Sequence, residues 1–387
     1  MPEPIKILHL VTWLNPGGIE RWLISMLREI DRERVAMDFC CKGPTTGILT
    51  SQAEALGAKV YHCPLKPTHL GFMQGLSKII RHGSYQIVHN HLQIYAGVGV
   101  YAAKRCGVPV ITGFHNTAFP AQSLPNISLL HKLRHLYGRL SIGYALRHSE
   151  LVSVNAMGIL HYLREGYSFP KSKERVLYYG VEVFPHKSEK EKRAFRDAIG
   201  LDPEKLLITH VGRFAPQKNH EGLVRVAEKV IAQEPRAHFV LVGDGILRKQ
   251  IEQMTNNKSI AKNFSFLGLR QDVEDILGFS AIFFLPSKWE GLPRAVLEAM
   301  AAKLPIVASD LPGLQETVQE GESGYLVPVN DEEGLAHRLL ELLSTPEKRR
   351  NMGEAGCRRV EAKFSLEAAI KNLRELYESL GDPECPV

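Results

Sequence analysis

Short apolar runs alternate with helical patterns along the chain, and this alternation decides the fold class. Seven runs fill the first 180 residues, namely IKILHLV, VAMDFCC, KVYHC, QIVHNH, VPVITGFH, LVSVNA and RVLYYG. Strands that alternate with helices form a parallel sheet with helices on both faces. The sequence therefore predicts an α/β fold.

The alternation stops at a charged stretch, FPHKSEKEKRAFRDAIG, and then begins again. Six further runs follow, namely KLLITHVGR, AHFVLVGDG, FSFLG, AIFFLPS, PIVASD and GYLVPV. Since 387 residues are also more than one hydrophobic core usually holds, we predict two domains with a boundary near residues 183 to 190. Two such sheets that face each other leave a cleft, and clefts between domains are preferred sites for small ligands.

Composition and charge narrow the choice of ligand. Apolar residues make up 44% of the chain and charged residues 23%, as in ordinary globular proteins. The net charge of +6 favours anionic partners such as nucleotide phosphates or acidic lipids, but the chain lacks the dense basic runs of nucleic-acid-binding proteins. We therefore expect no nucleic-acid partner. The chain also lacks a signal-peptide pattern and any uncharged apolar stretch of about 18 residues, so we expect a cytoplasmic protein.

Two glutamates in SKWEGLPRAVLEAMA, Glu290 and Glu298, stand between two apolar runs. On one continuous helix these positions would point about 80° away from each other, so amphipathicity does not explain the pair. Proline favours the first position of a helix, and Pro293 therefore predicts a flexible loop that holds Glu290 and a helix that holds Glu298. Both acids would lie near the carboxyl end of a strand, where α/β sheets bind ligands. The alternative for any isolated pair is a solvated loop acid and a helix-surface acid.

Three further stretches follow strands in the second half. HVGRFAPQKNH presents Arg213 and Lys218, which could straddle a diphosphate, although such a loop by itself is most often only solvated. LVGDG carries Gly243 where a strand passes into a loop. FLGLRQD carries Arg270 beside backbone groups that could pair with the edge of a base.

In the first half, NPGGIER ends the first strand. Gly17 and Gly18 let the main chain approach a ligand, and the next helix would direct amide donors at a phosphate, although an ordinary tight turn explains the glycines equally well. ITGFHNT places His115 at the end of a strand, either facing the cleft or as a core histidine. His89 and His91 alternate in IVHNH, but no acid or cysteine completes a ligand pattern, and we predict no metal site.

The segment from residue 131 to residue 147, HKLRHLYGRLSIGYALR, mixes cations with leucine, tyrosine and isoleucine. A basic amphipathic helix of this kind can lie on an anionic membrane. A helix that packs one face on the sheet and leaves its cations in water explains the same pattern. Peripheral contact with a membrane is therefore one of two interpretations of this segment.

Together these motifs resemble those of family 4 glycosyltransferases, which are retaining enzymes of the GT-B fold. NPGGIER, GFHNT, VGRFAPQKNH, LVGDG, LPSKWEGLPRAVLEAMA and PIVAS occur in the order of that family and span most of the chain. The most specific parts are the two glutamates of the E-x7-E element and the pair Arg213 and Lys218. The resemblance implies two Rossmann-like domains, residues 1–183 and 184–363, with a C-terminal helix, 364–387, that crosses back to the first.

The resemblance also implies roles for individual residues. Glu290 would bind sugar hydroxyls and Glu298 the ribose hydroxyls. Arg213 and Lys218 would stabilise the diphosphate as negative charge develops on the leaving group. The other residues predicted at the donor are Gly17, Gly18, His115, Gly243, Arg270, Gly291 and Leu292. The family needs no divalent cation, and we predict no cofactor.

The implied reaction moves a sugar from a nucleotide-diphosphate sugar to a hydroxyl of a glycan, lipid-linked or small-molecule acceptor. UDP is the expected nucleotide because it is the commonest carrier in the family, and GDP is the alternative. The usual proposal for such enzymes is front-side displacement, in which the leaving phosphate accepts the acceptor's proton. Two other functions remain open: a non-catalytic protein that binds sugar nucleotides, and a UDP-sugar epimerase of the same fold.

One position departs from the family pattern. YYGVE has Tyr179 before Gly180, where family members often carry asparagine. This departure leaves the geometry of the hinge and the cleft open, but not the class.

Overall fold

The structure, a computed structural model, describes residues 3–65, 69–116, 129–183, 188–198 and 200–381. The chain forms two compact units: the first runs up to Gly180 and resumes at Leu366, and the second takes Val181–Ser365. Each apolar run of the sequence contains one of thirteen described β-strands, which confirms the predicted α/β class.

The first unit is built on a parallel sheet. Its strands are β1 Ile5–Val11, β2 Val35–Cys41, β3 Val60–His62, β4 Ile87–Asn90, β5 Val110–Phe114, β6 Leu151–Val154 and β7 Glu174–Val176. Its first helices are α1 Gly18–Glu29, α2 Thr50–Ala55, α3 His69–Gly83, α4 Ala96–Lys104, α5 Leu129–His148 and α6 Met157–Gly166. The strands pair in the order β3-β2-β1-β4-β5-β6-β7, so the strand order reverses between β1 and β4.

The second unit repeats this design. Its helices are α7 Glu189–Ala198, α8 His220–Gln233, α9 Arg248–Asn257, α10 Val273–Gly278, α11 Arg294–Ala301, α12 Pro312–Gln315, α13 Glu332–Ser344 and α14 Pro346–Lys363. Its strands are β8 Leu206–Val211, β9 Ala237–Val242, β10 Phe264–Gly268, β11 Ile282–Leu285, β12 Ile306–Ser309 and β13 Gly324–Val327. They pair in parallel in the order β10-β9-β8-β11-β12-β13, and the reversal lies between β8 and β11. The last helix, α15 Leu366–Gly381, belongs to the first unit, where it packs against α1, β1 and β4.

Burial explains why these sequences form these elements. A parallel strand is covered on both faces, so its residues are apolar throughout rather than alternating with polar ones. In β9, AHFVLV, every residue is buried. A helix covers the sheet with one face only, and in α13 that face includes Leu335, Leu339 and Leu342.

Small residues of α4 allow its close packing. A Cβ atom on Gly97 would lie 2.8 Å from the carbonyl oxygen of Ser141 in α5, and one on Gly99 would lie 2.9 Å from Leu10 Cδ1 in β1. These glycines therefore let α4 lie close to α5 and β1. Among the helices of the described residues, none is both long and apolar enough to cross a bilayer.

Candidate active site

The carboxyl ends of β8 and β11 bring Lys218 and Glu290 together. The two strands are neighbours at the point where the strand order reverses, which is where open α/β sheets bind ligands. Lys218 ends a short 3-10 helix, Pro216–Lys218, and Glu290 lies in the loop after β11. The Nζ atom of Lys218 donates a hydrogen bond of 2.6 Å to Glu290 Oε1, and both side chains are largely buried.

Gln217 holds the same two loops together. Its Nε2 atom donates to the carbonyl oxygen of Trp289 at 3.0 Å and to Glu290 Oε2 at 3.1 Å. The amide of Lys288 donates in turn to the carbonyl oxygen of Gln217 at 2.8 Å. Both carboxylate oxygens of Glu290, which the sequence places in a flexible loop, are thus held by the neighbouring loop. Sequence reasoning missed Gln217, although it stands next to Lys218 in the quoted motif.

The stem of Lys218 runs beside a glycine and two buried histidines. A Cβ atom on Gly212 would lie 3.1 Å from Lys218 Cε and 2.9 Å from His210 Nε2, so a glycine here leaves room for both side chains. Burial is the main cause that lowers the pKa of His210 to about 3 and that of His220 to about 2, and the positive charge of Lys218 lowers both further. Both imidazoles are neutral at neutral pH, so their rings add no charge beside the ammonium.

Arg213 follows β8 directly and presents an exposed side chain. Within the described residues its guanidinium makes no hydrogen bond or ion pair. A guanidinium of this kind can bind phosphate oxygens through two parallel hydrogen bonds. The loop after β8 thus carries two cations, one held by Glu290 and one exposed.

Glu298 lies inside α11, where it is buried and accepts a hydrogen bond of 2.8 Å from Arg294 Nε one turn earlier. The helix begins at Arg294, and Pro293 precedes it with an extended ψ of 106°. Pro293 is therefore the N-cap residue, one residue before the first helical position at which the sequence predicts it. Sequence reasoning missed both the role of Arg294 and a second acid, Glu274, whose pKa is raised by burial and by the charge of Glu298.

Gly291 and Leu292 shape the turn between Glu290 and α11. A Cβ atom on Gly313 of α12 would lie 1.5 Å from the carbonyl oxygen of Gly291, so two backbones are in contact here. The side chain of Leu292 is buried in the core of the second unit. What these two residues offer a ligand is therefore backbone rather than side chain.

Gly243 and Arg270 follow the other strands on the same edge of the sheet. Gly243 has φ of +136°, and a Cβ atom there would lie 2.1 Å from the carbonyl oxygen of Gly212. Arg270 follows β10, which is two strands away from β8, and it pairs with both oxygens of Asp272 at 2.7 and 2.5 Å. The structure brings Gly243 against the loop of Arg213, whereas Arg270 lies at the outer strand.

Gly17 and Gly18 begin α1 in the first unit. A Cβ atom on Gly17 would lie 2.4 Å from Glu20 Oε2, so the carboxylate of Glu20 covers this glycine. A helix N-terminus favours an anion. In this structure the carboxylate of Glu20 lies beside the N-cap residue of α1.

His115 follows β5 in the first unit and is half-buried. Its Nδ1 atom lies 2.9 Å from the hydroxyl of Tyr179, and its Nε2 atom lies 2.9 Å from His91 Nδ1. Burial lowers the pKa of His115 to about 3, so the ring is neutral at neutral pH. The residue that departs from the family pattern, Tyr179, is thus a direct partner of His115.

Two Rossmann-type α/β units in one chain are the architecture of glycosyltransferases of the GT-B class. The family described as Glycosyltransferase Family 4 matches residues 16–183, and the family described as Glycosyl transferases group 1 matches residues 191–359. The chain belongs to glycosyltransferase family 4. It is a hexosyltransferase that uses a nucleotide-sugar donor.

Relatives and solved structures agree with this assignment. The chain is 27% identical to an Escherichia coli UDP-Gal:alpha-D-GlcNAc-diphosphoundecaprenol alpha-1,3-galactosyltransferase, over 96% of each chain. It is 28% identical to a Rhodococcus opacus D-inositol 3-phosphate glycosyltransferase, over 94% of this chain and 86% of the relative. Its fold matches a crystal structure of Anabaena HepE in complex with UDP and glucose, with a TM-score of 0.83 and 20% identity over 97% of this chain and 100% of the other.

Proposed function

We propose that the chain transfers a hexose from a UDP-sugar to a hydroxyl of a glycan, lipid-linked or small-molecule acceptor, with retention of configuration and without a divalent cation. The observation that carries the proposal is the 2.6 Å contact of Lys218 with Glu290 at the point of strand reversal. The nucleotide is proposed by analogy with the galactosyltransferase that uses UDP-Gal and with the HepE structure that contains UDP. The acceptor class follows the same galactosyltransferase, whose acceptor is a diphosphoundecaprenol-linked sugar.

In this proposal the second unit holds the donor. Lys218 and Arg213 bind the diphosphate, and their charge supports the leaving group as the sugar departs. Glu290 accepts hydrogen bonds from the sugar and Glu298 from the ribose, while Gly291, Leu292 and Gly243 offer backbone groups and Arg270 lies near the base. Gly17, Gly18 and His115 keep their predicted roles toward the donor.

The proposed chemistry needs no covalent intermediate. The bond between the anomeric carbon and the β-phosphate oxygen breaks, and its electron pair stays on the phosphate. The acceptor hydroxyl bonds to the anomeric carbon from the same face, and its proton passes to the leaving phosphate oxygen. The cations of the loop after β8 supply the positive charge that this departure requires, which is why we propose a reaction independent of divalent metal ions.

Substitution of the lysine tests the proposal. Lys218→Ala should lower kcat for sugar transfer by about 100-fold or more, because it removes one preorganised donor to the leaving group. The matched control is Lys229→Ala, since the pair of Lys229 with Glu333 is a surface pair on α8 and α13. A folded Lys218→Ala variant with unchanged kcat contradicts the proposal.

The stereochemistry and the donor need separate measurements. The anomeric configuration of the product, read by NMR, should equal that of the donor, and chelation with EDTA should leave the rate unchanged. A thermal-shift series with UDP- and GDP-sugars should identify the nucleotide, since a ligand at 100 times its Kd adds about 2.7 kcal/mol of stability. Conversion of a UDP-sugar to its epimer without acceptor would identify an epimerase instead.

A specific observation also favours contact with an anionic membrane. On α5 the side chains of Leu133, Leu136 and Leu140 are exposed by 56%, 54% and 66%. Exposed Lys132 and Arg139 lie beside them on the same helix. Apolar side chains flanked by cations are typical of helices that lie in a membrane interface. We include this contact in the proposal because it would bring the enzyme to a lipid-linked acceptor.

Vesicle flotation tests the membrane contact. The protein should float with vesicles of phosphatidylcholine and phosphatidylglycerol but not with phosphatidylcholine alone. Leu136→Glu should weaken this binding, whereas Leu70→Glu, which changes an exposed leucine on α3, should not. Equal flotation of the two variants contradicts a role for α5.

A further inference from the structure

Four histidines and two tyrosines of the first unit form one connected group. The group consists of His9 in β1, His89 in β4, His91 after β4, His115 after β5, Tyr179 near the end of the unit's first segment, and Tyr377 on α15. Burial lowers the pKa of the first three histidines well below the usual value and that of His115 to about 3. All four rings are therefore neutral at neutral pH.

Hydrogen bonds link this group in one continuous series, which we call the hydrogen-bond chain. In order they are Tyr179 hydroxyl to His115 Nδ1 (2.9 Å), His115 Nε2 to His91 Nδ1 (2.9 Å), His91 Nε2 to His9 Nδ1 (3.2 Å), His9 Nε2 to Tyr377 hydroxyl (3.3 Å), Tyr377 hydroxyl to His89 Nδ1 (2.8 Å), and His89 Nε2 to Ser153 Oγ (3.4 Å). Every ring nitrogen of the four histidines takes part in one of these contacts.

Neutral rings restrict how protons can be placed along the chain. A neutral imidazole has one N–H donor and one nitrogen acceptor, and a tyrosine hydroxyl has one proton. All six contacts are hydrogen bonds that use the proton of Tyr377 as well only if every donor points in the same direction along the series. Either Tyr179 donates and each histidine carries its proton on Nε2, or Ser153 donates and each carries it on Nδ1. Any mixed arrangement leaves two donors or two acceptors face to face, or, where the oxygen of Tyr377 accepts from both His9 and His89, leaves the buried hydroxyl proton of Tyr377 without an acceptor.

The hydroxyls of Tyr179 and Ser153 favour one of these directions. A phenol is a stronger acid and a poorer acceptor than an aliphatic alcohol, so Tyr179 is the better donor and Ser153 the better acceptor. We propose that this hydrogen-bond chain holds His115 with its proton on Nε2, and that Tyr179 and Tyr377 are positioning residues for this tautomer. Tyr377 acts on His115 through His9 and His91, although the two residues share no direct hydrogen bond.

A glycine makes room for the central contact. A Cβ atom on Gly113 would lie 2.9 Å from His115 Nε2 and 3.0 Å from His91 Nδ1. A side chain at this place would crowd the two nitrogens that share a proton. The glycine of the motif ITGFH thus leaves the space that the contact between His115 and His91 needs.

A metal ion is the competing occupant of this group. The ligand atoms of His9, His89 and His91 lie within 4.8 Å of one another, a spacing that admits an ion. A zinc ion would need a lone pair from each of these rings. In the hydrogen-bond chain each of those lone pairs already accepts a hydrogen bond from a neighbour. The hydrogen-bond chain and a bound metal ion therefore cannot exist together.

NMR of the substrate-free protein tests the proposal. With ¹⁵N-labelled histidine, two-bond ¹H–¹⁵N correlations should show the Nε2–H tautomer for all four rings. Tyr377→Phe removes the acceptor of the His9 Nε2–H group, and a buried N–H without partner costs more than a bare lone pair. The segment from His9 to His115 should then reverse, and the proton of His115 should move to Nδ1. Tyr101→Phe, at an exposed tyrosine, is the control and should change none of the four rings.

Three outcomes would overturn the proposal: a mixture of tautomers in the unchanged protein, an unchanged His115 in a folded Tyr377→Phe variant, or stoichiometric zinc in the purified protein. A kinetic consequence rests on the proposed function, in which His115 lies at the donor. There, Tyr377→Phe should lower kcat at least about tenfold and leave KM for the donor unchanged. Absence of turnover with every sugar nucleotide would contradict the proposed function, whereas the tautomer assignment is decided by NMR alone.

Discussion

The ammonium of Lys218 and the carboxylate of Glu290 depend on each other. Their side chains are 15% and 6% exposed, so water cannot replace either partner fully. A buried ion pair adds little net stability compared with apolar residues, but removal of one partner leaves an unpaired charge, which is costly. The pair therefore holds the loops after β8 and β11 in one arrangement before any ligand binds.

Glu290→Gln should reduce the free energy of unfolding by about 3 kcal/mol, because the ammonium of Lys218 loses its counter-charge. Glu333→Gln is the control, since Glu333 is 80% exposed and pairs with Lys229 at the surface. The control should change the free energy of unfolding by about 0.5 kcal/mol or less. Urea unfolding of both variants measures the difference, and equal losses would show that the buried pair is no more than a surface contact.

Two glycines separate backbone strain from crowding. Gly243 and Gly321 have φ of +136° and +76°, so alanine is strained at both positions. At Gly321 an added Cβ meets no atom within 4 Å, but at Gly243 it would lie 2.1 Å from the carbonyl oxygen of Gly212. We expect Gly321→Ala to cost about 1 kcal/mol of unfolding free energy. Gly243→Ala should cost at least about 3 kcal/mol. Similar losses by thermal unfolding would contradict the close contact of the two loops.

At the level of elements, the helices differ in how they begin. In α13 the side chain of Asp331 caps the helix and accepts from the amide of Gly334 at 2.9 Å, and in α7 the hydroxyl of Ser188 accepts from the amide of Glu191 at 3.3 Å. Helices α1 and α11, which follow loops of the candidate site, have Gly17 and Pro293 as N-cap residues and lack such a cap. Their first amides are left to other partners, and in α1 the carboxylate of Glu20 lies against Gly17.

The cap of α13 gives a prediction at this scale. Asp331→Ala should lower the free energy of unfolding by about 1 kcal/mol, because the first turn of α13 loses its acceptor. Asp331→Asn keeps an oxygen at the same place and should lose only a few tenths of that value. Denaturant unfolding distinguishes the two variants. If both lose the same amount, the charge of Asp331 and not its hydrogen bond stabilises the helix.

At the level of the whole molecule, buried histidines make stability depend on pH. Burial lowers the pKa of His9, His89 and His91 in the first unit well below 6.5. In the second unit it lowers those of His210, His220 and His238 to about 3, 2 and 4. Below pH 6.5 these histidines bind protons in the unfolded chain but not in the folded protein. The stability is therefore complete above pH 6.5 and is lost as the pH falls toward the folded pKa values.

Each such histidine should remove about 1.4 kcal/mol of unfolding free energy between pH 7.5 and pH 5.5. The three histidines of the second unit together should lower the free energy of unfolding of that unit by about 4 kcal/mol over this pH range. His238→Gln should reduce the slope of stability against pH by about one proton, whereas His161→Gln, at an exposed ring, should not. Urea unfolding across this range measures the slope. A flat profile would mean that these rings take up protons in the folded protein at the same pH as in the unfolded chain.

The amino-acid sequence by itself determined the α/β class and the location of every described strand, because the alternation of apolar runs and helical patterns is local along the chain. It also placed Lys218 and Glu290 after strands, since a strand and the loop that follows it are contiguous. It did not show that β8 lies beside β11, nor that Gln217 and Arg294 hold the two glutamates. Those facts depend on which strands pair, and pairing joins residues far apart in sequence.

Only the tertiary structure decided what the histidines of the first unit do. His89 and His91 alternate in the sequence, a pattern that metal ligands and core residues share, and the residues near them in sequence do not indicate their partners. Tyr377 lies 368 residues from His9, yet its hydroxyl is 3.3 Å from that ring. Burial and the direction of hydrogen bonds arise when α15 packs on the sheet. No local pattern carries that information, because a side chain's protonation depends on its neighbours in space.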